Sequence, residues 1–266
     1  MPPGFDGLIV DLDGVVWRGH DPIDGAADAV AAVRAKGVRV LFLTNEPGGS
    51  RGAFATRLTG MGIPATASDV MTSAAATARV LGALDGLATR RAFVIGPPAL
   101  HDEIAGAGFE LLSGERAPEA EVVVVGGHPG FDYGELRAAT AAVRNGARLF
   151  ATGRDAVFPT SQGPWPGTGA VLAAVETAGG ATAMVVGKPE PIVFEIARRA
   201  LAGCERIAVV GDHLIADIAG AKRAGLAAIL VLTGTTSRAD LAQAEIHADL
   251  VLESLAELPE AMRRWW

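Results

Sequence analysis

Leu8-Ile9-Val10-Asp11-Leu12-Asp13-Gly14 decides how this chain is read. An apolar, β-branched run stops at an aspartate, a second aspartate follows two residues on, and a glycine lets the chain turn. Comparable apolar runs recur at 38–43, 92–95, 121–125, 147–151, 183–186, 207–210 and 226–232. Continuous rather than alternating runs mark strands buried on both faces. Helix-like stretches lie between them: an alanine-rich one over 26–36 closed by Gly37, one over 50–59 capped by Ser50, and one over 69–84. Strands alternating with helices predict parallel βαβ units, so the expected class is α/β, a doubly wound, Rossmann-like parallel sheet. Such sheets bind ligands beyond the carboxyl ends of their strands, which makes the residue after each run the place to look for chemistry.

Four of those positions carry matching groups. The first gives Asp11 and Asp13, the second Thr44-Asn45, a later one Gly187-Lys188-Pro189, and a fourth Gly211-Asp212 with Asp217 further on. If the strands are parallel, these groups meet in one crevice. Converging carboxylates stay ionised only when a cation or strong donors compensate them. Asp11 and Asp212, with a carbonyl and waters, make a hard oxygen site suited to Mg2+. The Thr44 hydroxyl, backbone N–H groups and Lys188 supply donors and positive charge for a phosphate beside that metal. The composite predicts metal-assisted phosphoryl transfer. Asp11, held by the sheet, is the expected nucleophile on phosphorus; Asp13, further into the turn, is the expected acid and base.

Composition narrows the classes. Of 266 residues, 50% are hydrophobic and 20% charged, which excludes a disordered chain. A formal net charge of −7 and a pI near 5.3 point away from nucleic acid as a partner. Cys204 is the single cysteine, so neither an internal disulfide nor a cysteine metal cluster is available, and a reducing, cytoplasmic setting is expected. The opening Met1-Pro2-Pro3-Gly4-Phe5-Asp6 lacks the pattern of a signal peptide, and the run 226–232 is far short of the ~20 residues that span a bilayer, so no membrane role is expected. Lysine is scarce, at Lys36, Lys188 and Lys222 alone, which draws attention to Lys188.

At this point the residues resemble a known family. Asp11-Leu12-Asp13-Gly14-Val15-Val16-Trp17-Arg18-Gly19, Leu43-Thr44-Asn45, Val186-Gly187-Lys188-Pro189-Glu190-Pro191 and Gly211-Asp212 through Asp217-Ile218-Ala219-Gly220-Ala221 occur in the order seen in haloacid dehalogenase-like (HAD) phosphatases. The resembled subfamily, IIA, comprises NagD-like and 4-nitrophenylphosphatase-like enzymes with a large α/β cap. The resemblance implies Asp11 as nucleophile and Mg2+ ligand, and Asp13 as acid/base with its carbonyl on the metal. It further implies Thr44 with Asn45 as phosphate binders, Lys188 as the neutralising cation, Asp212 as the remaining metal carboxylate, and Asp217 as a nearby or water-mediated metal partner.

The cap segment Ala151-Thr152-Gly153-Arg154-Asp155-Ala156-Val157-Phe158-Pro159 is similar to one that reaches toward substrate, making Asp155 a candidate substrate contact. The pattern departs from the family at Glu46, Gly153, His213 and Ala216. His213 by itself reads as structural, and Gly167-Thr168-Gly169 as the start of a helix.

The expected organisation is a HAD-like catalytic core over 1–83 and 183–266 with an α/β cap domain inserted at 84–182. The expected activity is hydrolysis of a small-molecule phosphomonoester, such as a sugar, glycerol, glycolate, nucleotide or aryl phosphate. The resemblance leaves room for a homodimer. A weakly catalytic phospholigand-binding protein and a receiver-like phosphoacceptor are the alternatives. Trp265-Trp266 could pack on the core or serve an interface.

Overall fold

A computed structural model describes residues 4–160 and 163–263; the Met1-Pro2-Pro3 start and Trp265-Trp266 lie outside the described residues. The chain divides into two compact units, Met1–Thr44 with Arg51–Met71 and Lys188–Trp266, and Asn45–Ser50 with Thr72–Gly187. The class is α/β, and both units are built on parallel sheets.

In the first unit the strand order is Leu250–Leu252, Ala227–Val231, Ile207–Gly211, Gly7–Asp11, Arg39–Thr44, Val70–Thr72. The pairings from Arg39–Thr44 outward to Leu250–Leu252 are parallel. Gly7–Asp11 lies in the interior of this sheet and is buried along its length. One face presents Leu8, Val10, Val40, Phe42, Val210 and Ile229 to the helices Ala26–Ala35 and Arg51–Gly60. Intervening residues such as Ile9, Leu41 and Val209 point the other way and are equally buried. Helix Pro191–Ala200 packs against the strand Arg39–Thr44 and buries Val193, Phe194 and Ala197. Sealing both faces explains why these strands read as unbroken apolar runs.

The second unit repeats the design in the order Met184–Val185, Arg148–Ala151, Val122–Val125, Arg91–Ile95, Glu110–Leu112, all parallel. Here the two faces separate cleanly. Phe93, Ile95, Val123, Val125 and Leu149 share a cluster with Ala139, Val143, Leu172 and Val175 of the helices Tyr133–Arg144 and Thr168–Gly179. Val94, Val122, Val124 and Phe150 share another with Ala74, Ala78 and Leu81 of Ser73–Gly82 and Leu100 and Ile104 of Pro98–Gly106. An antiparallel hairpin pairs Val157–Thr160 with Gly163–Pro166.

One expectation needs adjusting. The helix expected over 69–84 begins only at Ser73: Val70–Thr72 forms a strand, and Thr72 caps the helix by accepting from the Ala75 N–H at 3.1 Å. The compact units divide at 44/45, 50/51, 71/72 and 187/188. At 71/72 the reason is packing, because Ala74, Ala78 and Leu81 bury their side chains among Val94, Leu100 and Ile104. No helix among the described residues is long and apolar enough to cross a membrane.

Candidate active site

Three central strands of the first sheet deliver the chemistry. Asp11 is the last residue of its strand and pairs in register with Leu43, which places buried Thr44 one step beyond it on the neighbouring strand. On the other side Val10 pairs with Val210, so the chain carrying Gly211 and Asp212 leaves the sheet beside Asp11. Asp11, Asp212 and Asp217 are all buried, and each offers a carboxylate oxygen within 4.8 Å of the others'.

Lys188 enters this group from the turn before helix Pro191–Ala200. It is 4% exposed, and its ammonium lies 2.7 Å from Asp11 Oδ1 and 2.7 Å from Asp217 Oδ1. Burial alone would push the lysine down, but the two carboxylates outweigh it and hold the ammonium above its ordinary value. Asp11 is raised well above the usual carboxylate range, by burial first and by the neighbouring Asp217 and Asp212, with Lys188 pulling the other way. Asp212 is raised by burial and by Asp217, against hydrogen bonds from Thr235. Among the described residues, Lys188 thus pairs with Asp11 and Asp217 while the buried Asp212 carboxylate stands beside them. A dense set of hard oxygens with surplus negative charge fits a divalent cation such as Mg2+.

Glycines give the carboxylates their room. Gly14 has φ of +77°, and a Cβ there or on Gly234 would overlap the Asp212 carboxylate. Asp212 Oδ2 accepts the Thr235 N–H at 2.5 Å, which fixes its rotamer.

Asp217 is presented by an uncommon device. Leu214–Ala219 is a turn of π-helix, in which the Ile218 N–H reaches the His213 carbonyl at 3.3 Å. The wider turn brings Asp217 Oδ2 back to the His213 N–H at 3.1 Å and leaves Oδ1 for Lys188. His213 caps this turn: its Nδ1 accepts from the N–H groups of Ile215 and Ala216 at 3.1 and 3.2 Å. That geometry assigns the ring proton to Nε2 and gives the histidine a structural part.

Asp13 stands in the turn after the strand and keeps an open face to solvent. Dense surroundings raise its carboxyl above the ordinary value, while a hydrogen bond from Trp17 Nε1 to Oδ1, 2.8 Å long, works against that. Trp17 lies within the Asp11–Gly19 motif, and its part there emerges only from this bond. The available signal was an aromatic donor four residues after the acid, across a glycine.

Asn45 and Asp155 fall in the second unit, where Asn45 Nδ2 donates to Asp155 Oδ2 at 3.4 Å. The Asn45 carbonyl accepts from Ser73 Oγ at 3.1 Å. Asp155 is exposed, and Gly153 is near it: a Cβ on that glycine would lie 3.5 Å from Asp155 Oδ2. Glu46 is exposed and belongs to the same unit.

The chain is similar to known proteins. The sequence profile of the haloacid dehalogenase-like hydrolases matches residues 8–110, and a second HAD-hydrolase-like profile matches 185–258. The chain is 33% identical to the sugar-phosphatase AraL of Bacillus subtilis over 95% of its own length and 91% of that protein's. Among solved structures, the p-nitrophenyl phosphatase of Archaeoglobus fulgidus superposes with a TM-score of 0.90 at 31% identity, covering 97% of this chain and all of that one. The glycerol phosphate phosphatase of Mycobacterium tuberculosis, solved in complex with magnesium, gives 0.90 at 34% identity, covering 98% of this chain and 78% of that one.

Proposed function

The chain belongs to the haloacid dehalogenase-like hydrolases, and on that premise we propose that it is a Mg2+-dependent phosphatase of small-molecule phosphomonoesters. The observation that carries this reading is the buried Asp11–Lys188–Asp217 chain with Asp212 alongside. A nucleophilic oxygen, a fixed cation and a hard-metal carboxylate set stand together at strand ends. The phosphatase names of its relatives support it.

Asp11 Oδ1 is engaged by Lys188, so Oδ2 is the proposed nucleophile. It attacks phosphorus, forming a P–O bond to Asp11 while the bond to the substrate's bridging oxygen breaks, and that oxygen leaves with the electron pair. Asp13 supplies its proton to the departing alkoxide. In the second half Asp13 takes a proton from water as the water oxygen bonds to phosphorus. The aspartyl P–O bond then breaks, restoring the Asp11 carboxylate and releasing inorganic phosphate. Thr44 and Lys188 hold the phosphoryl oxygens and answer their charge. Asp11, Asp212, the Asp13 carbonyl and, through water, Asp217 would hold Mg2+, which supplies neutralisation of the charge accumulated by nucleophile and phosphate. Asn45, with Thr44, is a proposed phosphate binder, and Asp155 a proposed substrate contact.

The test is phosphate release from 4-nitrophenyl phosphate and from a panel of sugar, glycerol and nucleotide phosphates, with and without Mg2+. Asp11→Asn is expected to abolish turnover, and undiminished turnover would reject the mechanism. A phosphoryl-aspartate that persists for minutes in the native protein would favour a receiver instead. Binding of phosphate analogues without turnover of any ester would favour a degenerate binding protein.

A further inference from the structure

The acid of this site is held by a residue outside the four strand-end groups. Trp17 is fully buried, and its ring is fixed on several sides. Phe54 stacks parallel to it, with centroids 6.4 Å apart and planes 7° from parallel. The Arg57 guanidinium lies 3.9 Å from the ring centroid and donates to the Gly19 carbonyl. The backbone closes the arrangement. The Trp17 carbonyl accepts from the Gly14 N–H at 2.7 Å, and the Trp17 N–H donates to the Leu12 carbonyl at 3.2 Å. Trp17 also opens the small hairpin that pairs Trp17–Arg18 with Asp21–Pro22. A ring so confined has one place to aim its N–H, and it aims at Asp13 Oδ1.

Asp13, by contrast, is open to solvent, and an exposed aspartate samples several staggered rotamers. The indole N–H is donor only, so Oδ1 must present it a lone pair. We propose that Trp17 is the positioning residue for Asp13: it locks one rotamer and reserves Oδ1, so that Oδ2 is the oxygen that passes a proton to the leaving group. Misplacing an acid by about 1 Å can cost a hundredfold in rate, so the lock has a measurable consequence. This inference rests on the phosphatase reading and on Asp13 as its acid.

Leaving groups separate positioning from mere structure. An alkoxide needs the proton as the P–O bond breaks; 4-nitrophenolate, a far weaker base, does not. The quantity compared is kcat/KM, which ends at formation of the phospho-enzyme, so the water step common to both substrates does not enter. Trp17→Phe keeps an aromatic ring and removes the N–H. It is expected to lower kcat/KM for glycerol phosphate about 10- to 100-fold and that for 4-nitrophenyl phosphate less than about threefold. A shape-preserving second variant carries the benzothienyl analogue of tryptophan at position 17, with sulfur in place of N–H, and should discriminate between the substrates in the same direction. In an Asp13→Asn background, Trp17→Phe should add no further discrimination. Equal losses on both substrates, or none on glycerol phosphate, in the benzothienyl variant would overturn the inference. Should Asp11→Asn retain turnover, the phosphatase mechanism itself fails; should it be dead while the leaving-group difference is absent, only the part given to Trp17 fails.

Discussion

Single residues set the shape of the acidic pocket, and Gly14 is the sharpest case. It needs φ of +77°, and its missing Cβ is the space in which Asp212 Oδ2 lies. Gly19, a few residues later, has φ of +55° with nothing within 4 Å of a built Cβ. The two glycines therefore separate backbone strain from carboxylate displacement. Either alanine substitution incurs about 1–2 kcal/mol for a left-handed L-residue. Gly19→Ala should lower the thermal midpoint and leave kcat/KM within about twofold, whereas Gly14→Ala should in addition lose activity about 10-fold or more, because it drives Asp212 from its place. Comparable kcat/KM in the two variants would show that Gly14 serves only the turn. At this scale the sequence was generous. Asp11, Lys188 and Asp212 were recognisable because each ends or follows an apolar run. Trp17's bond to Asp13 was not, because it depends on a turn that Gly14 closes and on a ring orientation that Phe54 and Arg57 impose.

Among the elements, interior strands were readable, as was the edge strand Met184–Val185 within the run 183–186, whereas the edge strands Val70–Thr72, Glu110–Leu112 and Leu250–Leu252 were not. Val122–Val125 is fully buried and declares itself by composition. Glu110–Leu112 and Leu250–Leu252 are three-residue edge strands with mixed exposure, and their pairing partners rather than their propensities make them strands. The π-turn Leu214–Ala219 was likewise hidden, since its cap is a histidine ring nitrogen rather than a usual capping oxygen.

One loop shows how an element is pinned from a strand start. Glu121 accepts from the N–H groups of Ala88 and Thr89 at 2.7 and 2.8 Å and from Thr89 Oγ1 at 2.8 Å. Those donors lower its carboxyl from 4.5 to about 2. A depressed folded value means stability that is present above the unfolded value of 4.5 and lost as pH falls toward about 2. Glu121→Gln should therefore melt earlier than the native protein at neutral pH, with the gap narrowing across that acidic window. A gap that stays constant through it would assign the effect to packing instead of to the carboxylate.

For the whole molecule, the three buried carboxylates are a strain on folding as well as the site of chemistry. Asp11 and Asp212 are raised in the folded state, so at these two groups the folded protein binds more protons than the unfolded one. The sign is then opposite to that of Glu121: without a metal ion, the contribution of these two groups to stability is greatest at low pH and is lost as pH climbs from the unfolded value of 3.8 through the raised values. A divalent cation that binds only the folded form offsets this repulsion, by about 2.7 kcal/mol at a concentration of 100 times its Kd. Its stabilising effect must grow with pH, because protons and metal compete for the same oxygens. Thermal melting with Mg2+ or with EDTA, at about pH 5 and about pH 8, tests this directly. The Mg2+-induced rise in Tm should be larger at the higher pH and should shrink in Asp212→Asn, where one repelling charge is gone. An equal rise at both pH values, or one untouched by Asp212→Asn, would place the bound cation somewhere other than the Asp11–Asp212–Asp217 group.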